Sequence, residues 1–296
     1  MHFHVDFVNR WKLWFVVSGV VMAVALFGIF VRGLNYGIDF TGGTQTVLNF
    51  NRPVASAAIN RTLSSYHLTG STVIYLGKSG RKVQITTERM GQSTRDAVLA
   101  SLKKNVGAFS EVSSARVSGV IGQQTEETAL LAVLLATVGI ILYIAIRFEF
   151  RFAISAIIAL VHNVVITVGA IALIHVSLSQ YFVMAVLTIF GYSVNDTIIV
   201  FDRIRENLQR QKRGEPLVEL VNRSLNQVVV RSINTSSTVM IALAALLVFG
   251  GASLVDFSLT MLIGVFVGTY SSLFIASPIW LLWRQKQPEP RGKRAA

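Results

Sequence analysis

The sequence predicts an α-helical polytopic membrane protein with six transmembrane helices and one small α+β domain inserted between the first and second. Three observations predict it. Of 296 residues, 52% are hydrophobic and 14% charged, and the mean hydropathy of +0.57 is too high for an ordinary soluble domain. Six uncharged runs reach about 20 residues, the length an α-helix needs to cross a hydrocarbon core of roughly 30 Å. Between the first two runs, strand and helix patterns alternate. The net charge of +12 sits largely in clusters beside apolar runs, where it sets topology, so nucleic acid is not an expected partner. With no cysteine, disulfides, thiolate metal sites and cysteine nucleophiles are excluded.

The six runs are Leu13 to Val31, Thr128 to Ile146, Phe152 to Ile174, Gln180 to Phe201, Ser232 to Val255 and Phe257 to Trp283. The first is too long for a signal-peptide core and Arg32-Gly33-Leu34 offers no small-x-small cleavage site, so it reads as an uncleaved anchor. Trp11 and Trp14 suit an interfacial belt. Positive residues of the short loops decide orientation. Arg10 and Lys12 precede span one, Arg147 and Arg151 lie between spans two and three, Arg203, Arg205, Arg210, Lys212, Arg213 and Arg223 follow span four, and Arg284, Lys286, Arg291, Lys293 and Arg294 close the chain. The loops HVSLSQ and GASLVD carry no Lys or Arg. Both termini are therefore expected in the cytoplasm, with residues 33–127 outside. The expected organisation is 1–32 (N-terminus and span one), 33–127 (outer domain), 128–283 (spans two to six) and 284–296 (cytoplasmic tail, QKQPEPRGKRAA at its end, expected to be disordered).

Within the outer segment, GTQTVLNF alternates apolar and polar positions, and VASAAINRTLSSY has helical spacing at Val54, Ala58, Ile59 and Leu63. STVIYLG and KVQITTE form a hairpin pattern across Lys78-Ser79-Gly80-Arg81. STRDAVLASLKKNV starts with a Ser93 or Thr94 cap and places Val98, Leu99 and Leu102 on one face; EVSSARVSGV reads as the last strand. The order β-α-β-β-α-β is the ferredoxin-like pattern, with no catalytic cluster in it. After span four, residues 202–231 carry an apolar stripe, Leu217, Leu220, Val221, Leu225 and Val228, beyond a Gly214-Glu215-Pro216 break. This connection reads as an amphipathic helix lying on the cytoplasmic surface, the alternative being a helix packed under the bundle.

The chemistry concentrates in FGYSVNDTIIVFD, Phe190 to Asp202. Asp196 lies six residues, about 9 Å, inside the end of its span at Asp202. An ionised carboxylate at that depth costs about 3 kcal/mol or more, and such residues face a bundle interior, pair, and mark ion or proton routes. Most of Thr188, Tyr192, Asn195 and Asp196 share one face at helical spacing, a polar stripe; the alternative is a hydrogen-bonded clamp between helices. The next span begins VVVRSINTSSTVM, with Arg231, Thr235 and Thr238 on one face and Asn234 beside them. Arg231 either snorkels to the interface or reaches Asp196. Pairing would make a two-state device, because carboxylate and neutral acid prefer different neighbours. One proton moving across 100 mV supplies about 2.3 kcal/mol, enough to bias such an element. His162 in span three is a candidate relay group, or a neutral packing histidine. Thr260, Gly264, Gly268 and Ser272 form a small-xxx-small ladder for close helix packing. Asp6, Asp39 and Asp256 read as ordinary interfacial or loop acids.

GIDFTGGTQ after span one, RFEFRFAISAIIALVHN across spans two and three, GYSVNDTIIVFDRIREN at span four and DFSLTMLIGVFVGTYSS in span six together resemble the SecF family of the bacterial SecD/SecF protein-export complex. The resemblance implies six spans, an exported ferredoxin-like domain, kinship with the resistance-nodulation-division transporters and residence in the bacterial plasma (inner) membrane. It implies use of the proton-motive force, rather than a cofactor or metal, to help secretory proteins complete translocation. The implied partners are SecD, the SecYEG channel, YidC and YajC, unfolded secretory chains and the lipid bilayer. Carried onto this chain, the family's proton-coupling pair falls on Asp196 and Arg231; the residue pattern itself adds Tyr192, Asn195, Asn234, Thr235 and His162 as a supporting polar face. The chain departs from the family in carrying Asn163 where an acid usually follows the histidine and Ser232 where threonine is common. SecD supplies a further intramembrane acid that this chain lacks. A non-motor scaffold joining SecD, the channel and an insertase is the alternative. An intramembrane protease using Ser193 and His162 lacks any nucleophile-turn or HExxH support.

Overall fold

The computed structural model describes residues 5–68, 70–77, 79–250 and 252–286. Among the described residues, six helices are long and apolar enough to cross a membrane. The first is α1 (Trp11–Phe27), prolonged by a π-helical turn (Gly28–Arg32). Next come α2 (Ile38–Thr41), a short helix, then β1 (Gly43–Phe50), α3 (Ser56–Ser64), β2 (Thr72–Tyr75), β3 (Lys82–Thr87), α4 (Gln92–Asn105) and β4 (Phe109–Val117). The remaining spans are α5 (Gly119–Arg147), α6 (Phe150–Leu173), α7 (Gln180–Gln209) and α8 (Leu217–Phe249). The last is α9 (Ala252–Ser271), continued by a π-helical turn (Ser272–Ala276) into α10 (Ser277–Lys286). The chain divides into two compact units, residues 1–35, 132–176 and 181–296 forming one and residues 36–131 with 177–180 the other.

The second unit is the α+β domain. Its sheet has the order β2-β3-β1-β4 with every pairing antiparallel, the ferredoxin-like arrangement the sequence pattern predicts. Apolar positions spaced by two on β1 and β3 and by three or four on α3 and α4 meet in one core that includes Leu48, Phe50, Ile59, Val83, Val98 and Leu102. Helix α4 starts at Gln92 with Gly91 as its cap residue and no side-chain cap, so the expected cap at Ser93 or Thr94 is wrong: both lie already inside the first turn. The expected β2–β3 hairpin is present in its flanks, Leu76 N–H donating to Lys82 O at 2.8 Å; Lys78 lies outside the described residues, as does the tail from residue 287. Two glycines open the sheet for a steric reason. Gly42 and Gly43 have φ of +72° and +135°, and a Cβ on Gly43 would stand 2.5 Å from Thr87 O. Only glycine fits there.

In the first unit α6 is the central helix, packed against α1 and α9, while α8 packs along α9. Glycine again permits close approach: a Cβ on Gly169 would meet Ala25 at 2.4 Å, and one on Gly28 would meet Gly169 O at 2.8 Å. At one end Phe152 stacks on Trp280 with centroids 4.5 Å apart, and Phe201 closes on Phe152 at 4.9 Å.

The stretch 202–231 does not form a separate surface-lying helix. Helix α7 continues past Asp202 to Gln209, and α8 begins at Leu217 and runs without interruption through Arg231 into the span. The apolar stripe Leu220, Val221, Leu225 and Val228 is buried, and Asn207 Nδ2 donates to Ser224 Oγ at 2.7 Å across the two helices. The physical reason is that a stripe already in register with the span buries more apolar surface by prolonging the helix than by bending onto the membrane surface. The N-terminal segment lies along this part of α8. Val5 N–H donates to Asn226 Oδ1 and Asn226 Nδ2 back to Val5 O, while Phe7 N–H donates to Asn222 Oδ1, at 2.8 to 2.9 Å.

Candidate functional site: a buried carboxyl in a hydroxyl-rich seam

Helix α7 turns Tyr192, Ser193, Asp196, Thr197 and Val200 inward and leaves Thr188, Gly191 and Asn195 exposed. Asp196 is 6% exposed. Its Oδ1 accepts a 2.7 Å hydrogen bond from Ser232 Oγ of α8, and its Oδ2 has no hydrogen-bond partner among the described residues. Ser272, the first residue of the second π turn, neighbours the carboxyl. Its Oγ lies 2.9 Å from Thr197 Oγ1.

Hydroxyls continue on both sides. Tyr192 OH donates to Ser236 Oγ at 3.0 Å, and Ser236 Oγ lies 2.5 Å from Thr269 Oγ1. On α6, His162 Nδ1 lies 2.7 Å from Ser271 Oγ, while Nε2 is buried without a partner among the described residues. Asn163, fully buried, accepts from Thr167 through Oδ1 at 3.3 Å, and its Nδ2 has no partner among the described residues. The adjacent serines of the α9–α10 joint thus serve two helices, Ser271 facing α6 and Ser272 facing α7. The π turn ends two residues before Pro278, whose missing N–H already interrupts the helical ladder, and π turns recur at functional sites.

The ladder on α9 sets the spacing. A Cβ on Gly264 would lie 2.1 Å from Ile189 Cδ1, and one on Gly268 would lie 2.9 Å from Asn163 Nδ2 and 3.4 Å from Ser193 Oγ. Thr260, whose Oγ1 donates to Asp256 O at 2.7 Å, and Ser272 at the ends of the ladder are fully buried.

Of the residues the sequence singled out, Asp196, Tyr192, His162, Gly264, Gly268 and Ser272 enter this seam. Asn195, Arg231, Asn234 and Thr235 do not; all four are exposed, and no ion pair joins Arg231 to Asp196 in this structure. The inward phase of α8 falls one residue later than the face read from Arg231, Thr235 and Thr238, on Ser232 and Ser236. Sequence reading missed these two as well as Thr197, Thr269 and Ser271. A signal for the first two was present: the buried stripe Leu225, Val228 continues at four-residue steps to Ser232 and Ser236. Asp39 was also undervalued, since its Oδ2 accepts the Gln180 N–H at 2.9 Å and so caps the first residue of α7, where a carboxylate is favoured by the helix dipole. Among the described residues no group of three or more His, Cys, Asp or Glu could hold a metal ion.

A carboxyl buried among membrane-spanning helices and a small ferredoxin-like insert define a multi-pass membrane protein with a polar seam inside its bundle. Residues 97–286 match the family described as protein export membrane protein SecD/SecF, C-terminal, and residues 27–54 match the SecD/SecF GG motif. The chain is 39% identical to protein translocase subunit SecF of Sebaldella termitidis over 96% of its own length and 94% of that protein's. It is 41% identical to SecF of Magnetococcus marinus over 99% and 95%. The chain belongs to the SecF family of protein translocase subunits, whose role is in protein export. It also aligns with one part of longer relatives. It covers 38% of protein translocase subunit SecDF of Bacillus subtilis at 35% identity. Against the crystal structure of SecDF from Thermus thermophilus it gives a TM-score of 0.85 at 34% identity, covering 95% of this chain and 39% of that one. Against SecDF in a super-membrane-facing form the TM-score is 0.69.

Proposed function

We propose that this chain uses the proton-motive force, together with a SecD partner, to promote late steps of secretory-protein translocation, with Asp196 as the group that gains and loses the proton. The observation that carries the reading is the half-satisfied carboxyl. Ser232 holds one oxygen, while the other is buried without a partner among the described residues, an arrangement that costs free energy unless something else visits it. Arg231 precedes Ser232, so a turn of α8 by about 100° exchanges a hydroxyl for a guanidinium opposite Asp196. A proton taken up favours the hydroxyl setting; its release favours the cation. Six spans and the positive loops support a plasma-membrane placement with both termini cytoplasmic and the α+β insert outside, where it would meet emerging unfolded chains. SecYEG, YidC and YajC are the further partners of this reading, which involves no catalysis. The test is Asp196→Asn, which retains an acceptor for Ser232 and cannot ionise. It should leave assembly with SecD intact and reduce proton-gradient-dependent export to the level seen without the subunit. Unchanged export would remove the motor reading.

A scaffold reading has its own support. Only 6% of the most apolar window of α5 is buried in this chain, so a large helical surface is free for other subunits. Loss of SecD assembly in surface variants of α5, with Asp196→Asn silent, would favour it.

A further inference from the structure

Beside α8 lies a cleft of about 330 Å³ lined almost wholly by hydrocarbon. Val229, Ile233 and Met240 of α8 face Phe266 of α9 and Leu273 of the π turn across it, and Phe7 of the N-terminal segment also lines it. Leu273 and Phe7 are buried, whereas Ile233 is 48% and Phe266 66% exposed, so these last two form rims and the cleft opens sideways. In membrane-spanning helices, sideways means toward lipid. Three of the four polar side chains on its wall are already engaged, Ser237 being the fourth: Ser236 and Thr269 with each other, and Tyr270 OH with Ser18 Oγ at 2.9 Å and Trp14 O at 3.0 Å. A ligand there gains little from polar groups.

Size selects among apolar occupants. From Val229 to Met240 is eleven residues, about 16 Å of helix, close to half of a hydrocarbon core of roughly 30 Å and so to the reach of one leaflet. At roughly 30 Å³ for a water-sized group, the volume takes on the order of ten methylenes. One turn of a partner helix, a cylinder about 10 Å across and 5.4 Å long, has a volume of about 400 Å³ and cannot enter; it could only lie over the opening. Left void, the lining would lose its dispersion contacts. We propose that this cleft binds one acyl chain of a membrane phospholipid.

The occupant sits against Ser236, one turn from the serine that holds Asp196, but the proposal does not depend on Asp196 carrying a proton. The test uses the full chain copurified with its SecD partner in nanodiscs of phosphatidylethanolamine and phosphatidylglycerol. A phosphatidylethanolamine with a diazirine at mid-acyl chain is the probe, and adducts are located by peptide mass spectrometry. Labelling of the 233–240 and 266–274 peptides should exceed that of the equally exposed α1 surface around Val16 and Val20. The excess should be lost in Ile233→Trp, with Phe266→Trp at the opposite rim as the second variant. Labelling no greater than that of α1, an excess that survives both rim substitutions, or crosslinks placing partner polypeptide inside the cleft would overturn the proposal.

Discussion

The two units of this chain distribute polarity in opposite ways. The α+β domain buries Leu48, Ile59, Val83 and Leu102 in its core and turns Ser110, Glu111, Ser113 and Arg116 outward on β4. The helical unit buries Ser193, Asp196, Thr197, Ser232, Ser271 and Ser272 and exposes Val16, Ile241 and Phe249. The first pattern is what water selects, because removing apolar surface from it drives folding. In lipid that drive is absent between helices, which associate through close packing of small residues and hydrogen bonds between polar ones. Small and hydroxyl-bearing residues therefore take, in the bundle, the place that leucine and isoleucine take in the insert.

The contrast can be broken at three sites of decreasing effect. Leu48→Ala should cost about 2–5 kcal/mol, read as lost hydrogen-exchange protection of β1 and β4 with α7 unchanged; equal loss in both units would mean they share one core. Gly264→Ala should cost about 1–3 kcal/mol through overpacking on Ile189, measured as thermal stability in detergent or nanodiscs. Ile189→Ala in the same chain should restore much of it, and a failure to rescue would deny that the ladder acts by proximity. Ser232→Ala should cost about 1 kcal/mol, the scale of a hydrogen bond between membrane helices. Its clearer readout is a changed infrared carboxyl band of Asp196, and an unchanged band would show that the hydroxyl does not hold the acid.

Most of the architecture was legible because two solvents leave two periodicities. Alternation at Gly43–Phe50 and uncharged runs of helix length need no tertiary information. Residues with two roles were harder to read. Asp39 sits in a loop by sequence and becomes a cap only once Gln180 is brought to it. Residues 217–231 look amphipathic whether they lie on a membrane or prolong a span, and only the continuity of α8 decides. That continuity also fixes phase. Reading the span afresh from Arg231 rotated the face by one residue and chose Arg231, Thr235 and Thr238 over Ser232 and Ser236. Asn222 and Asn226 carried no signal, since their partners are backbone atoms of Val5 and Phe7 more than two hundred positions away.

Those two asparagines have a mechanical consequence. Helix α8 is a single rod of 33 residues, and Asn222 and Asn226 hold the backbone of Val5 and Phe7 within three turns of Ser232. A rigid rod clamped near its foot cannot swivel freely at mid-height. Should α8 turn as proposed, the hydrogen bonds that join Asn222 and Asn226 to Val5 and Phe7 would have to break or move with it.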